Sequence, residues 1–123
     1  MKALLLNVKE NNYKVVDIKD NLDTYYNLIG CDCIDIVMRK IGGKYFDIVC
    51  DDEGLLKSEP KISAITNTYE PMLVGNLVIV HNDGMGNLVG ITDSDIEHLK
   101  KNIRYMSTLR YETPYPMLIN CEY

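Results

Sequence analysis

The residues best suited to hold a ligand are arginines and tyrosines near the C-terminal end of the sequence. Guanidinium groups bind phosphates, and phenol rings stack on bases or pack at interfaces. This pattern predicts ligand or partner contacts from Arg104, Arg110, Tyr111 and Tyr115, and Lys57, which lies outside it, is a further candidate. Two plainer explanations stay open, because tyrosine is common at half-buried strand positions and Arg104 suits the C-terminal end of a helix.

Acidic residues give a weaker indication of chemistry. The run Asp51-Asp52-Glu53 could supply paired carboxylates or bind a hard metal ion, but it is contiguous and is followed by Gly54. A solvated turn explains both the charge and the glycine. Asp93, Asp95 and Glu97 suit the start of a helix, where negative charge is favourable, so they require no catalytic role.

The glycine-rich stretch 84–90 follows a predicted strand and superficially resembles a phosphate-binding loop. Its last glycine comes one residue too late for the dinucleotide fingerprint, so a plain turn or hairpin is the better prediction. His81 and His98 have no serine or cysteine at a spacing typical of nucleophilic catalysis. We therefore predict no catalytic residue and no enzyme activity.

The four cysteines do not form a metal-binding pattern. Cys31 and Cys33 are two residues apart, whereas structural zinc sites show paired Cys-x-x-Cys or Cys/His spacings. The surroundings of three of the four are apolar and strand-like, which predicts buried thiols with Cys31 and Cys33 on one face of a strand. No metal and no cofactor are expected, and a reducing cytoplasm is the simpler assumption.

Hydrophobic patterns predict strands and one short helix in the first half of the chain. Two strands joined by a polar turn should form a hairpin, and a second hairpin should surround Gly42-Gly43. Asp20 or Asn21 can cap the helix, and Gly30 can end it. The predicted elements are strands at 4–8, 13–18, 34–41 and 44–50 and a helix at 22–29.

The second half combines one buried strand with one strongly marked helix. The apolar run 76–80 is typical of a central strand buried on both faces. Thr92 and Asp95 form a capping signature, and helical spacing continues from Ile96 to Met106. The segment 55–70 is irregular, with a short helix expected near 62–66.

Size and charge limit the class of protein. A chain of 123 residues is suited to one domain, and a net charge of −5 disfavours general nucleic-acid binding. No apolar run is long enough for a membrane span. We predict an α+β fold over residues 1–106, with a small mixed or antiparallel sheet and two packed helices. Residues 107–123 should form an extended tail docked on the domain or on a second subunit.

Short motifs resemble a known family. The resemblance covers about residues 1 to 103 and is carried by Met1-Lys2-Ala3-Leu4, Leu28-Ile29-Gly30, the run 48–54, Pro60, Val74-Gly75 and Ile91-Thr92-Asp93. The chain is similar to the small proteins of domain-of-unknown-function family 3846, which phages and mobile elements of Gram-positive bacteria encode. The resemblance implies a phage or prophage accessory protein that acts in a bacterial host cytoplasm.

Together these observations lead to two leading functional hypotheses and a third. The first is a phage counter-defence protein that binds and sequesters a nucleotide-type immune signal without turning it over. The nucleotide in this hypothesis comes from analogy with known phage sponges. The alternative is a protein-binding inhibitor of a host defence nuclease or effector. An enzyme acting on a small nucleotide comes third. Both leading hypotheses predict a homo-oligomer, because small ligand-binding proteins often place sites between subunits.

Overall fold

A sheet and two helices account for the regular structure of the chain. The computed structural model describes residues 1–57 and 59–123. The helices are α1 (Leu22–Ile29) and α2 (Asp93–Lys101), and a 3₁₀ turn spans Gly54–Leu56. The strands are β1 (Lys2–Asn7), β2 (Asn12–Asp17), β3 (Ile34–Ile41), β4 (Lys44–Asp51), β5 (Ile62–Thr66), β6 (Pro71–Val74), β7 (Leu77–Asn82), β8 (Leu88–Val89), β9 (Ile103–Met106) and β10 (Tyr115–Glu122).

The strands form one mixed sheet in the order β2-β1-β7-β4-β3-β10-β5-β6. Short β8 pairs with β7, and β9 pairs with β10. All pairings are antiparallel except that of β10 with β5. The α+β class with a mixed sheet and two helices is thus confirmed. The prediction of a small sheet was wrong, because short strands in the second half of the chain raise the number of strands to ten.

Both predicted hairpins form. The strands β1 and β2 pair from Lys2 opposite Asp17 to Asn7 opposite Asn12. The strands β3 and β4 pair along their whole length around Gly42-Gly43. Both glycines have positive φ, of 55° and 86°, a conformation that glycine adopts without a steric penalty.

The central strands are buried on both faces, as their continuous apolar sequences predict. In β7, Leu77 and Ile79 face one core, whereas Val78 and Val80 face the other. Helix α2 packs into the first core, which is larger and also holds most of the buried residues of β10. Helix α1 covers the second core. Each helix therefore closes one face of the sheet.

Local capping chemistry sets the helix ends. The Asn21 side chain accepts a hydrogen bond from the Thr24 backbone N–H at 2.9 Å, and Gly30 ends α1 with φ of 78°. Thr92 and Asp95 form a reciprocal capping box at the start of α2. The expectation that helical structure continues to Met106 was wrong. Helix α2 ends at Lys101, and 103–106 form β9 because they pair with β10.

Other local predictions also need correction. The expected short helix at 62–66 is strand β5, held between β10 and β6. By contrast, the segment expected as an extended tail docked on the domain or a second subunit is extended in β10, which pairs with β3, β5 and β9 of the same chain and has all residues from Tyr115 to Ile119 buried. Cys31 and Cys33 precede β3 and do not share a strand face, since Cys31 is buried and Cys33 is exposed. Cys50 and Cys121 are buried. Neither described helix is long and apolar enough to cross a membrane.

Candidate functional site

A cleft of about 460 Å³, the lysine cleft, lies where several strand ends meet. The first hairpin turn, the end of α1, the end of β4 and the start of β5 all contribute to it. Three lysines and two carboxylates line it in a chain whose net charge is −5. The lining residues are Val8, Lys9, Ile29, Gly30, Asp51, Gly54, Lys57, Glu59, Pro60, Lys61, Gly75 and Tyr111.

Lys61 is the most strongly fixed cation of the lysine cleft. Its ammonium group donates to the Val8 carbonyl at 2.6 Å and to the Asn11 side-chain oxygen at 2.9 Å. It also lies 4.9 Å from the ring centroid of Tyr111 and 4.3 Å from that of Tyr115, within the range of a cation–π interaction. Burial lowers the pKa of Lys61. The residue therefore joins β5 to the first hairpin turn and places positive charge beside two tyrosine rings.

Lys9 reaches the lysine cleft from the first hairpin turn. Its ammonium group donates to the Ile29 carbonyl at 3.2 Å, so it satisfies a backbone acceptor at the C-terminal end of α1. Gly30 leaves room for this contact, because a Cβ atom there would lie too close to the Lys9 ammonium nitrogen for that side chain to keep its position. With one of its three N–H groups used, Lys9 can donate further to a ligand.

Lys57 is an exposed lysine of this cleft, with 52% of its side chain accessible. Its ammonium nitrogen lies 3.7 Å from an oxygen of Asp51, whose side chain is 8% exposed. The Asp51 carboxylate also accepts from the Glu53 backbone N–H at 2.9 Å. The acidic run at this turn is therefore only partly solvated, because Asp51 is shielded between the lysine cleft and a neighbouring cleft.

A smaller cleft of about 290 Å³, the tyrosine cleft, lies beside the lysine cleft. Its lining residues are Pro60, Ile62, Thr108, Leu109, Arg110, Tyr111 and Tyr115. Tyr111 contributes to both clefts, and its hydroxyl donates to the Glu59 carbonyl at 2.9 Å. Tyr115 is completely buried, and its hydroxyl has no hydrogen-bond partner in the described chain. Burial, with a smaller contribution from Tyr111, raises the pKa of Tyr115 to about 12.

A third cleft, the Arg39 cleft, has about 450 Å³ and is lined by acidic and apolar side chains. It shares Asp51 and Gly54 with the lysine cleft. The Arg39 guanidinium donates to the Met38 carbonyl at 2.8 Å and lies 4.8 Å from the Tyr123 ring centroid. With four carboxylates against one guanidinium, this cleft is less suited to an anion than the lysine cleft.

The structure brings four of the five predicted ligand residues to two adjoining clefts. Lys57 lines the lysine cleft, Arg110 and Tyr115 line the tyrosine cleft, and Tyr111 belongs to both. Arg104 lines none of these clefts. It is an exposed residue of β9, opposite Met117 of β10, so its explanation as a cation near a helix end also fails.

The sequence reasoning missed Lys9, Lys61 and Gly30. Each has an ordinary local explanation: Lys9 lies in a turn, Lys61 follows a proline, and Gly30 ends a helix. Their common location depends on three separate segments meeting at one end of the sheet. Only Gly30 gave a local signal in the sequence, and that signal predicted the end of α1, with a positive φ, but did not indicate a cleft.

A second polar cluster lies at the start of α2, on the larger core. The Asp95 carboxylate is hydrogen-bonded by Lys44, by the Thr92 backbone N–H at 2.8 Å and by His81 at 3.1 Å. Burial alone would raise the pKa of Asp95, but these hydrogen bonds outweigh burial and hold it well below its ordinary value. The Phe46 ring stacks 4.8 Å from that of His81.

The two histidines are held by these neighbours. His98 Nε2 donates to the Ile41 carbonyl at 2.7 Å, and His81 Nε2 contacts Asp95. In the described part of the chain, no group of three or more His, Cys, Asp and Glu side chains is arranged to hold a metal ion.

The glycine-rich stretch 84–90 contains the turn between β7 and β8, strand β8 itself and Gly90. The carboxylate of Asp83, just before this stretch, accepts the Met85 backbone N–H at 2.7 Å.

Comparison with known proteins assigns most of the chain to a family. Residues 1–104 match the model of a family described as "Domain of unknown function (DUF3846)". No curated protein and no solved structure matches the chain. The matched residues include the three lysines of the lysine cleft, whereas Arg110, Tyr111 and Tyr115 lie beyond them.

Proposed function

The chain belongs to the DUF3846 family, and from the charge and position of its lysine cleft we propose that it binds a small anionic ligand of the nucleotide class and releases it unchanged. The observation that carries this proposal is the convergence of Lys9, Lys57 and Lys61 on one concave site in an acidic protein. Ammonium groups bind phosphate as point charges, and a concave site strengthens their field.

The size of the lysine cleft supports a small ligand. Its volume of about 460 Å³ lies within the range of typical small-molecule sites. The lysines around it are held by main-chain carbonyls and by Asp51, so little side-chain order has to be created on binding. Such preorganisation favours tight retention of a phosphate-bearing molecule.

Binding without turnover is favoured by the chemistry of the lining. Asp51 and Glu59 are the carboxylates of the lysine cleft, and Asp51 is occupied by Lys57 and the Glu53 N–H. The histidines lie in the separate Asp95 cluster. Among the residues that the structure describes, the lining combines cations with aromatic surface and shows no nucleophile paired with a base, the arrangement that covalent catalysis requires.

The biological setting that we propose is phage counter-defence in a bacterial host. In this setting the protein sequesters a nucleotide-type immune signal. The setting extends the sequence resemblance, whereas the lysine cleft supports only the ligand class. Sequestration requires that ligand recovered after denaturation be chemically intact.

Titration calorimetry with inorganic pyrophosphate tests the binding part. We expect saturable binding to the full chain, weakened about tenfold by Lys57→Glu, because the variant replaces an attractive charge with a repulsive one at a partly exposed site. The matched control is Lys14→Glu, which makes the same charge change at an exposed β2 position outside the described clefts. Equal losses for the two variants would show that only overall charge matters and would contradict a lysine-cleft site.

Release of the natural ligand tests sequestration. The purified protein is incubated with lysate from phage-challenged bacteria, washed and denatured by heat, and the released small molecules are identified by mass spectrometry. We expect one phosphorylated compound near one equivalent per site from the native sequence and much less from Lys57→Glu. Recovery of a cleaved product in place of the compound present in the lysate would contradict binding without turnover.

A second candidate, an inhibitor that binds a host defence nuclease or effector, is favoured by one observation. Leu55 and Leu56 in the 3₁₀ turn are 77% and 82% exposed, and adjacent exposed leucines are typical of interaction surfaces. Co-purification with a host nuclease at defined stoichiometry, abolished by Leu55→Ser with Leu56→Ser, would favour this candidate over the first.

A further inference from the structure

The buried hydroxyl of Tyr115 marks the tyrosine cleft as a place for a hydrogen-bonding ligand. Tyr115 is 0% exposed, it lines the tyrosine cleft, and its hydroxyl lacks a partner among the described residues. Most buried polar groups in folded proteins are hydrogen-bonded, and an unpaired one is costly. Because Tyr115 is one of the residues that line the cleft, its unpaired hydroxyl is suited to pair with a ligand group that enters there.

The tyrosine cleft and the lysine cleft adjoin along Pro60 and Tyr111. The Tyr111 ring stands edge-on to that of Tyr115, with centroids 6.2 Å apart and an interplanar angle of 82°. A bond from its backbone N–H to the Thr108 hydroxyl at 3.0 Å fixes the turn that carries it. A single ligand can therefore extend past Tyr111 from one cleft into the other.

The two clefts differ in chemistry. Lysines dominate the larger one, whereas the smaller one combines a single guanidinium, that of Arg110, with the apolar side chains of Ile62 and Leu109. A volume of about 290 Å³ is just below the range for a whole ligand, so the tyrosine cleft suits one part of a ligand. Aromatic walls with one guanidinium favour a flat ring, because both rings and guanidinium groups stack on it.

The tyrosine cleft also has a different origin along the chain. Thr108, Leu109, Arg110, Tyr111 and Tyr115 lie outside the part that matches the family, residues 1–104. The three lysines lie inside it. The lysines of the lysine cleft therefore come from the family region, whereas most of the lining of the tyrosine cleft comes from a segment outside that match.

We infer that the site has two parts, with phosphate groups of the ligand in the lysine cleft and its planar ring in the tyrosine cleft, where Arg110 and the Tyr115 hydroxyl select the ring. This inference rests on the proposed function, because it assigns the nucleotide-type ligand to the same site. It adds a division of roles: the lysines recognise charge, and the segment 108–115 recognises the base.

The experiment compares probes that share phosphates and differ in the ring. Inorganic pyrophosphate and the diphosphates of adenosine, guanosine, cytidine and uridine are titrated into the full chain by calorimetry. The variants are Tyr115→Phe, which keeps the ring and removes the hydroxyl, and Arg110→Ala. Their matched controls are Tyr105→Phe and Arg104→Ala, at exposed positions of β9 outside the tyrosine cleft.

We expect at least one nucleoside diphosphate to bind ten times more tightly than pyrophosphate. Tyr115→Phe and Arg110→Ala should each weaken that nucleotide about tenfold and change pyrophosphate binding less than twofold. Lys57→Glu should weaken both probes, and the two β9 controls should change neither. Such a pattern supports separate recognition of ring and phosphate.

Two other outcomes overturn the inference in distinguishable ways. If pyrophosphate binds and Lys57→Glu weakens it, but Tyr115→Phe and Arg110→Ala leave every nucleotide unchanged, then the proposed function stands and the ring site is wrong. If no probe binds to the native sequence, the proposed function fails together with the inference. Thermal melting of each variant identifies any loss of binding caused by unfolding.

Discussion

Two buried polar side chains of this protein have opposite surroundings. Asp95 is 2% exposed and accepts hydrogen bonds from Lys44, His81 and the Thr92 backbone. Tyr115 is 0% exposed, and its hydroxyl has no partner among the described residues. The first group fastens α2 to the sheet, whereas the second lies at the wall of a cleft.

The difference separates stability from binding. Asp95 combines a helix cap with an ion pair, so its hydrogen-bonding capacity is used within the fold. The Tyr115 hydroxyl costs folding free energy and returns none through a described protein contact. We therefore expect substitution of Asp95 to affect stability and substitution of Tyr115 to affect ligand binding.

Asp95→Ala should have the largest effect on stability. The substitution removes half of the capping box and leaves Lys44 and His81 without their carboxylate. We expect the free energy of unfolding to fall by about 2–3 kcal/mol, since hydrogen bonds to charged groups contribute about 1.5–3 kcal/mol. Urea denaturation followed by circular dichroism measures this change.

The matched control is Glu97→Ala on the exposed face of the same helix, where the carboxylate is 69% exposed. Surface substitutions of this kind usually stay within about 0.5 kcal/mol. A similar loss for both variants would mean that helix charge, and not the Asp95 cluster, stabilises α2. Asp95 would then no longer be an example of a buried polar group whose hydrogen bonds stabilise the fold.

Acid should weaken the same cluster. Because the pKa of Asp95 in the folded state lies below its ordinary value of 3.8, its contribution is present above about pH 4 and is lost as the pH falls towards the folded value. We expect a loss of about 1–2 kcal/mol, since one pKa unit corresponds to about 1.4 kcal/mol. Urea midpoints between about pH 6 and 2.5 should fall less for Asp95→Asn than for the native sequence. Parallel curves would assign the acid sensitivity to other carboxylates.

The sequence predicted the elements that local signals determine. Asn21 and Gly30 bound α1 as expected, Gly42-Gly43 forms a hairpin, and the capping box starts α2. Errors arose where pairing with a distant strand overrides local periodicity. Met106 keeps helical spacing but belongs to β9 because β10 lies beside it, and the 62–66 segment is a strand for the same reason.

The site was only partly predictable for a related physical reason. Residue type suggested ligand recognition by Arg110, Tyr111 and Tyr115, since guanidinium and phenol groups suit it wherever they lie, and these three residues line the tyrosine cleft. Residue type alone also selected Arg104, which lies outside the clefts. Lys9 and Lys61 are distant in sequence and meet only through the sheet order, so no local pattern could reveal the lysine cleft.

Tyr115→Phe should have the smallest effect on stability and the opposite sign. Removal of an unpaired buried hydroxyl should raise the free energy of unfolding by about 1 kcal/mol, because its desolvation is no longer required. Contact of the ring with the Lys61 ammonium group should persist, since phenylalanine also forms cation–π interactions.

Urea denaturation of Tyr115→Phe without ligand, beside Tyr105→Phe as the exposed control, measures this gain. A stabilised protein with weaker nucleotide binding would show that the hydroxyl is retained for the ligand at the expense of stability, as binding sites commonly are. A destabilised protein would instead show that the hydroxyl has a structural role like that of Asp95. The two buried groups would then differ only in the partners that satisfy them. The unpaired Tyr115 hydroxyl would no longer support ligand binding in the tyrosine cleft.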